Sequence, residues 1–159
     1  MSKTILLAVD ASSVGSAAAE MARDLASDSG DRVVVLHVHE FAVGRFGRIQ
    51  VDCADGEGER VVTDIVAGLQ RSGVTAEAEI RKTPVGHVAK TILSAADEVD
   101  ARMVVLGSAS THDVPHLPFG NVSLRLLHLA TRPVLIVPRS PAAVTAAEPV
   151  VPVAAAATS

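Results

Sequence analysis

At 159 residues and a formal charge of −4, the chain has the size of one ordinary domain and lacks the basic excess that a nucleic-acid partner demands. Hydrophobic residues make up 48%, yet Trp and Tyr are absent and Phe numbers three, so the interior must be aliphatic and offers no aromatic platform for stacked bases. Cys53 is the one cysteine, which excludes an intrachain disulfide and a multi-thiolate metal site, and no run of about eighteen apolar residues is available to span a membrane.

Residues 5–9, Ile-Leu-Leu-Ala-Val, form a short apolar run closed by Asp10. The run is too short for a secretory leader, so a strand and a cytoplasmic location are expected. Ser12 or Ser13 can cap a helix that carries Val14, Ala18, Met21, Ala22 and Leu25 on one face and stops at Gly30. Residues 32–38 make a second continuous β-branched strand. Residues 41–55 then follow as a connection containing glycine, and a loop longer than about 12 residues in a compact domain is more often functional than idle. A helix over 57–71 presents Val61, Val62, Ile65, Val66 and Leu69, with Gly73 beyond its end.

Over residues 75–80, Ala76, Ala78 and Ile80 alternate with Glu77 and Glu79, the pattern of an edge strand. Thr83 as cap and Pro84 at the first helical position open a third helix through Val88, Ile92, Ala95, Ala96 and Val99. Residues 103–106 form the fourth strand. The last helix begins after Gly120, carries Val122, Leu126, Leu127 and Ala130, and ends before Pro133, which also precedes the final strand, 134–137. Residues 140–159, rich in Ala, Pro and Val without periodicity, are expected to be a disordered tail behind a domain of residues 1–139.

Strands alternating with helices of roughly 10–15 residues specify an α/β fold with a parallel sheet and right-handed crossovers. In such a sheet the ligand crevice lies outside the carboxyl ends of the strands. Two of those ends carry suitable residues: Asp10 after the first strand, and Gly107-Ser108 after the fourth, followed at a distance by Gly120-Asn121-Val122-Ser123 at a helix start. Gly107 allows close backbone approach, and the amides at Gly120 and Asn121 suit phosphate oxygens. The same residues also serve as ordinary turn and cap chemistry.

Other constellations are weaker. His37 and His39 share a strand face, where a structural role outweighs stacking on a ligand. His112 and His116 have metal-pair spacing only on a helix, which Pro115 and Pro118 oppose. Ser12 and Ser13 lack a nucleophile elbow. The first strand is followed by neither a Gly-x-x-x-x-Gly-Lys-Ser/Thr loop nor a Gly-x-Gly-x-x-Gly turn, and fast phosphoryl transfer lacks its lysine and base. No enzymatic activity and no metal site are expected.

Ile5-Leu6-Leu7-Ala8-Val9-Asp10-Ala11-Ser12 resembles the opening strand of universal stress proteins. Leu36-His37-Val38 resembles the end of their second strand, and Val104-Val105-Leu106-Gly107-Ser108 their fourth. Gly120-Asn121-Val122-Ser123, followed by Arg132-Pro133-Val134-Leu135-Ile136-Val137-Pro138, is similar to their final helix and strand. The likeness spans nearly all of residues 3–138 and implies a doubly wound five-stranded parallel sheet in the order 3-2-1-4-5, with helices on both faces.

It also implies an adenine-nucleotide site for ATP, with Mg2+ as the companion cation. By that resemblance Asp10 holds the ribose and Ala8 and Val38 border the adenine. The turn of Gly107, Ser108 and Ser110, together with Gly120, Asn121, Val122 and Ser123, holds the phosphates. The nucleotide-binding branch carries Gly, two residues, Gly, nine residues, then Gly followed by Ser or Thr. This chain keeps the spacing but has Ser110 at the second glycine and Asn121 at the hydroxyl position. A left-handed serine costs about 1–2 kcal/mol, and a lost bond to a charged phosphate roughly 1.5–3 kcal/mol. Together they turn a micromolar site into one on the order of 0.1 to 4 mM. Two readings stay open: an ATP-binding regulatory module of the stress response, and a nucleotide-free homodimer, paired through its last strand, with a degenerate phosphate site.

Overall fold

Ile5, Leu6 and Leu7 are 0% exposed although they follow one another directly. Successive side chains of a strand point to opposite faces, so both faces of this strand must be covered. The computed structural model, which describes residues 3–11, 17–50, 56–108 and 121–138, shows how. β1 (Thr4–Val9) is flanked in parallel by β2 (Arg32–Gly44) and β5 (Ala101–Gly107). β4 (Ala76–Pro84) lies outside β2, and β6 (Val134–Val137) lies outside β5, both parallel. The parallel order β4-β2-β1-β5-β6 is the 3-2-1-4-5 order expected.

Alternation along the strands sorts the core into two layers. Ile5, Leu7, Val33, Val35 and Val105 pack with Ala18, Ala22 and Ala26 of α1 (Ala17–Ser29) and with Val61, Val62 and Leu69 of α2 (Glu57–Arg71). Leu6, Val34, Leu36, Val38, Val104 and Leu106 pack with Ala89, Ile92, Ala95 and Ala96 of α3 (Val88–Glu98) and with Leu126 of α4 (Asn121–Leu129). Each large aliphatic side chain so buried contributes about 1.5–3 kcal/mol relative to exposure. The alanine faces of α1 and α3 let those helices sit close on the sheet. Arg132 tethers the end of the last crossover, donating to the carbonyls of Ala96 and Ala101 and meeting Asp97.

Helix α2 has the bounds expected, and Gly30, at φ +71°, ends α1 as a glycine can and a β-substituted residue does only under strain. The cap expected at Ser12 or Ser13 and the tail 140–159 lie outside the described residues. Two expectations need correction. Residues 41–50, the described part of the segment expected as a loop over 41–55, are not a plain loop: β2 continues to Gly44, turns through Arg45-Phe46, and returns as β3 (Gly47–Gln50), antiparallel to it. Phe41 stands opposite Gln50 on one edge and Pro84 on the other. β3 therefore takes the edge of β2 that β1 leaves after Val9, and the hairpin rises above the carboxyl end of β1.

The second correction concerns Thr83 and Pro84, which do not begin a helix. Because β2 is long, they still pair with Glu40 and Phe41 at the end of β4. Proline is tolerated there because β4 is an edge strand. α3 starts only at Val88, after a turn through Gly86. Thr83 nevertheless anchors that helix, since its hydroxyl accepts a hydrogen bond from Thr91 at 2.9 Å.

Candidate functional site

The carboxyl ends of the strands bring several of the expected residues to one rim. Ala8 is paired with Leu36 on one side and Leu106 on the other. Two residues further on stand Asp10, which is exposed, and Ser108, which is half-buried. Val38 follows the Val9–His37 pair and belongs to the layer under α3 and α4, where Ala8 and Val122 pack against the same cluster. Asp10, Val38 and Ser108 thus crowd the point at which β1 ends and the sheet turns from one crossover to the other. That is the switch point at which open α/β sheets take ligands.

Beside this rim lies a hollow of about 380 Å³, within the range of about 300–1,000 Å³ that small-molecule sites occupy. Its described walls are Glu40 of β2, Val85 and Gly86 of the β4–α3 turn, Val88 and Ala89 of α3, and Asn121, Val122 and Arg125 of α4. Val88, Ala89 and Val122 supply apolar contact. Asn121 and Val122 bring the start of α4, where the first amides have no intrahelical acceptor and the helix dipole is positive. Glu40 reaches the hollow because it is two residues past Val38 and so shares its face.

Gly86 is held through both of its backbone polar groups. Its N–H donates to Glu40 Oε1 at 2.8 Å, and its carbonyl accepts from Arg125 Nη1. Gly86 adopts φ +83°, a left-handed conformation that costs other residues about 1–2 kcal/mol. The turn, the end of β2 and the first turns of α4 are therefore linked through the two peptide groups that meet at Gly86.

Of the expected set, Asn121 and Val122 line the hollow, while Ala8, Asp10, Val38 and Ser108 stand along the adjoining rim. Ser123 is 2% exposed, on the α4 face turned to the sheet with Leu126. Ser110 and Gly120 lie outside the described residues, as do His112 and His116. Gly107 ends β5 beside Ser108 on the same rim. A Cβ there would point toward α1 and meet Ala18 Cβ at 3.9 Å, an ordinary contact, so glycine is not demanded by close approach on that side. The Ser108 amide is already engaged with the Val137 carbonyl at 2.8 Å.

His37 and His39 face the other side of the sheet. The His37 ring lies against Gly58 of α2 and bonds the Val9 carbonyl through Nδ1 at 2.9 Å, a structural role. Glu40, Gly86 and Arg125 are absent from the expected set. Arg125 had a usable signal, since four residues after Asn121 places it on the same helix face.

The universal stress protein family model matches residues 1–138. The chain belongs to the universal stress protein family. A universal stress protein of Mycolicibacterium smegmatis is 28% identical over 145 residues, 84% of this chain; the chain spans 47% of that relative, about half its length. A solved universal stress protein from Archaeoglobus fulgidus superposes with a TM-score of 0.68 at 24% identity, covering 86% of this chain and 98% of that one. Another from the same organism, in complex with dAMP, gives 0.63 at 23% identity, covering 84% and 96%. The fold is likewise shared with a universal stress protein in complex with cAMP, at 19% identity and TM-score 0.62 over 87% and 98%. One from Arabidopsis thaliana with AMP bound gives 0.58 at 17% over 87% and 93%.

Proposed function

We propose that this universal stress protein is a regulatory module of the stress response that binds an adenine nucleotide without turning it over. One observation carries the reading: the hollow beside the switch-point rim has apolar walls, a helix start at its edge and a few convergent polar groups, the construction typical of a small-molecule site. The choice of ligand follows the relatives of the same fold in complex with dAMP, cAMP and AMP. In this reading Val38, Val88 and Val122 flank the base, Asp10 takes the ribose, and the start of α4 takes phosphate. ATP brings its own Mg2+. Residues 107–124 contain no lysine to cradle transferring phosphates, which supports binding over hydrolysis.

Regulation requires that the nucleotide favour one arrangement of the surrounding segments, since equal affinity for two states shifts nothing. The β2–β3 hairpin above the rim and the segment leading into α4 are the elements such occupancy would bias, in a cytoplasmic protein that signals through contact with a partner. Calorimetric titration of the full chain with AMP and with ATP tests this. Saturable binding supports it, and no heat at millimolar ligand refutes it.

A second reading is favoured by β6. Among the described residues this four-residue strand pairs with β5 alone and carries Val134, Leu135 and Ile136, each half-buried, and an apolar edge strand invites pairing with another copy. In that reading the protein is a nucleotide-free homodimer acting by protein contact alone. Light scattering of a Leu135→Lys variant separates the two: loss of a dimer, with AMP binding absent before and after, selects it.

A further inference from the structure

The charges around the hollow say which nucleotide it takes, an inference that rests on the nucleotide reading above. From Gly107 to Leu124 the sequence has no Lys or Arg and one acid, Asp113, so the segment expected to meet phosphates brings no permanent cation. Among the described lining residues, Arg125 is the one basic side chain and Glu40 the one acidic side chain. Arg125 lies one turn along α4 from Asn121, on the same face, and is exposed. One of its guanidinium nitrogens donates to the Gly86 carbonyl. A guanidinium has five donors in a planar fork that matches phosphate oxygens, so several remain to turn on an anion held at the start of the helix.

We propose that Arg125 is the phosphate-reading residue of this hollow and that, set against Glu40, it tunes the site to a nucleotide with one phosphate in preference to a triphosphate. Arg125 and the helix start match the charge of a single phosphate group. The further phosphates of ATP find no second basic side chain on the described walls and meet the field of Glu40. Glu40 also holds the Gly86 turn that Arg125 grips, so the two residues set both the charge and the shape of the wall.

The test is equilibrium titration of the full chain with adenosine, AMP and ATP at fixed ionic strength, repeated for Arg125→Ala, Arg125→Lys and Glu40→Gln. The expected result is AMP binding about tenfold tighter than adenosine, as a charge-assisted phosphate contact supplies, with ATP no tighter than AMP. Arg125→Ala should collapse the AMP-to-adenosine ratio toward one, and Arg125→Lys should restore part of it. Glu40→Gln, which keeps an acceptor for the Gly86 amide, should narrow the preference for AMP over ATP. A general loosening of the wall would weaken adenosine and AMP alike and leave the ratio intact. An unchanged ratio in Arg125→Ala, or wild-type protein binding ATP more tightly than AMP, overturns this inference alone. Absence of binding by all three ligands overturns the nucleotide reading together with it.

Discussion

Placing a single methyl group at position 58 should loosen α2 from the sheet. Gly58 sits in the first turn of α2 and is buried. A Cβ built on it lies 2.2 Å from His37 Nε2, 2.3 Å from Cδ2 and 2.9 Å from Cε1. The ring has little room to yield. It is 4% exposed, its Nδ1 is bonded to the Val9 carbonyl, and it packs edge-on against His39 at 4.5 Å between centroids. Alanine for glycine in a helix is worth about 0.8–1 kcal/mol in propensity, whereas forcing an extra carbon into a packed core costs about 1–3 kcal/mol. Three contacts below 3 Å place Gly58→Ala near the upper end of that range, for a net loss of about 1–2 kcal/mol.

Gly68 in the same helix is the control, since a Cβ there meets only Arg71 Nη2 at 3.9 Å. Gly68→Ala should therefore gain about 0.5–1 kcal/mol. Guanidinium denaturation followed by far-UV circular dichroism suits a chain with neither Trp nor Tyr. The midpoints should move in opposite directions with an unchanged slope. Gly58→Ala as stable as wild type would refute the packing argument.

Asp31 is 6% exposed and accepts from the Lys3 amide at 2.8 Å, the Ser29 hydroxyl at 2.7 Å and the Arg102 guanidinium at 2.7 Å. Burial pushes its carboxyl up, but these partners together outweigh burial and hold it below the ordinary value of 3.8. The stability it contributes is full above that value and is lost as pH falls through the lower folded value. Asp31→Asn should cost about 1–3 kcal/mol at neutral pH and flatten the acid limb of the pH–stability curve. An acid limb identical to wild type would contradict it. Leu126, 0% exposed under α4, should cost about 2–5 kcal/mol when cut to alanine, measured by the same denaturation. Gly86→Ala, forced to φ +83°, should lose about 1–2 kcal/mol and weaken AMP binding in calorimetry, because the turn it shapes is a wall of the hollow.

The parallel sheet was legible because residues 5–9, 32–38 and 103–106 are continuous aliphatic runs that only two-sided burial explains. The alternation of Glu77 and Glu79 with small residues likewise placed β4 at an edge. The hairpin was hidden because Gly44 and Gly47, which flank its two-residue turn, also punctuate ordinary loops. Thr83-Pro84 misled because cap chemistry and the end of an edge strand use the same residues; only the length of β2 decides between them. At the site, Val122 follows from its place at a helix start, whereas Val38 was implied by the family resemblance alone. The grip of Glu40 and Arg125 on Gly86 depends on how a turn between β4 and α3 meets α4, and local periodicity does not encode that meeting.

The claim at the centre is that the hollow beside the start of α4 receives an adenine nucleotide. Titrating AMP into isotopically labelled full chain and following the backbone amide resonances tests it at residue level. Saturable shifts should concentrate at Gly86, Ala89, Val122 and Arg125, leaving Ala26 and Gly73 at the opposite end of the sheet unmoved. No saturable shift at millimolar AMP, or shifts centred away from those four residues, would contradict the account.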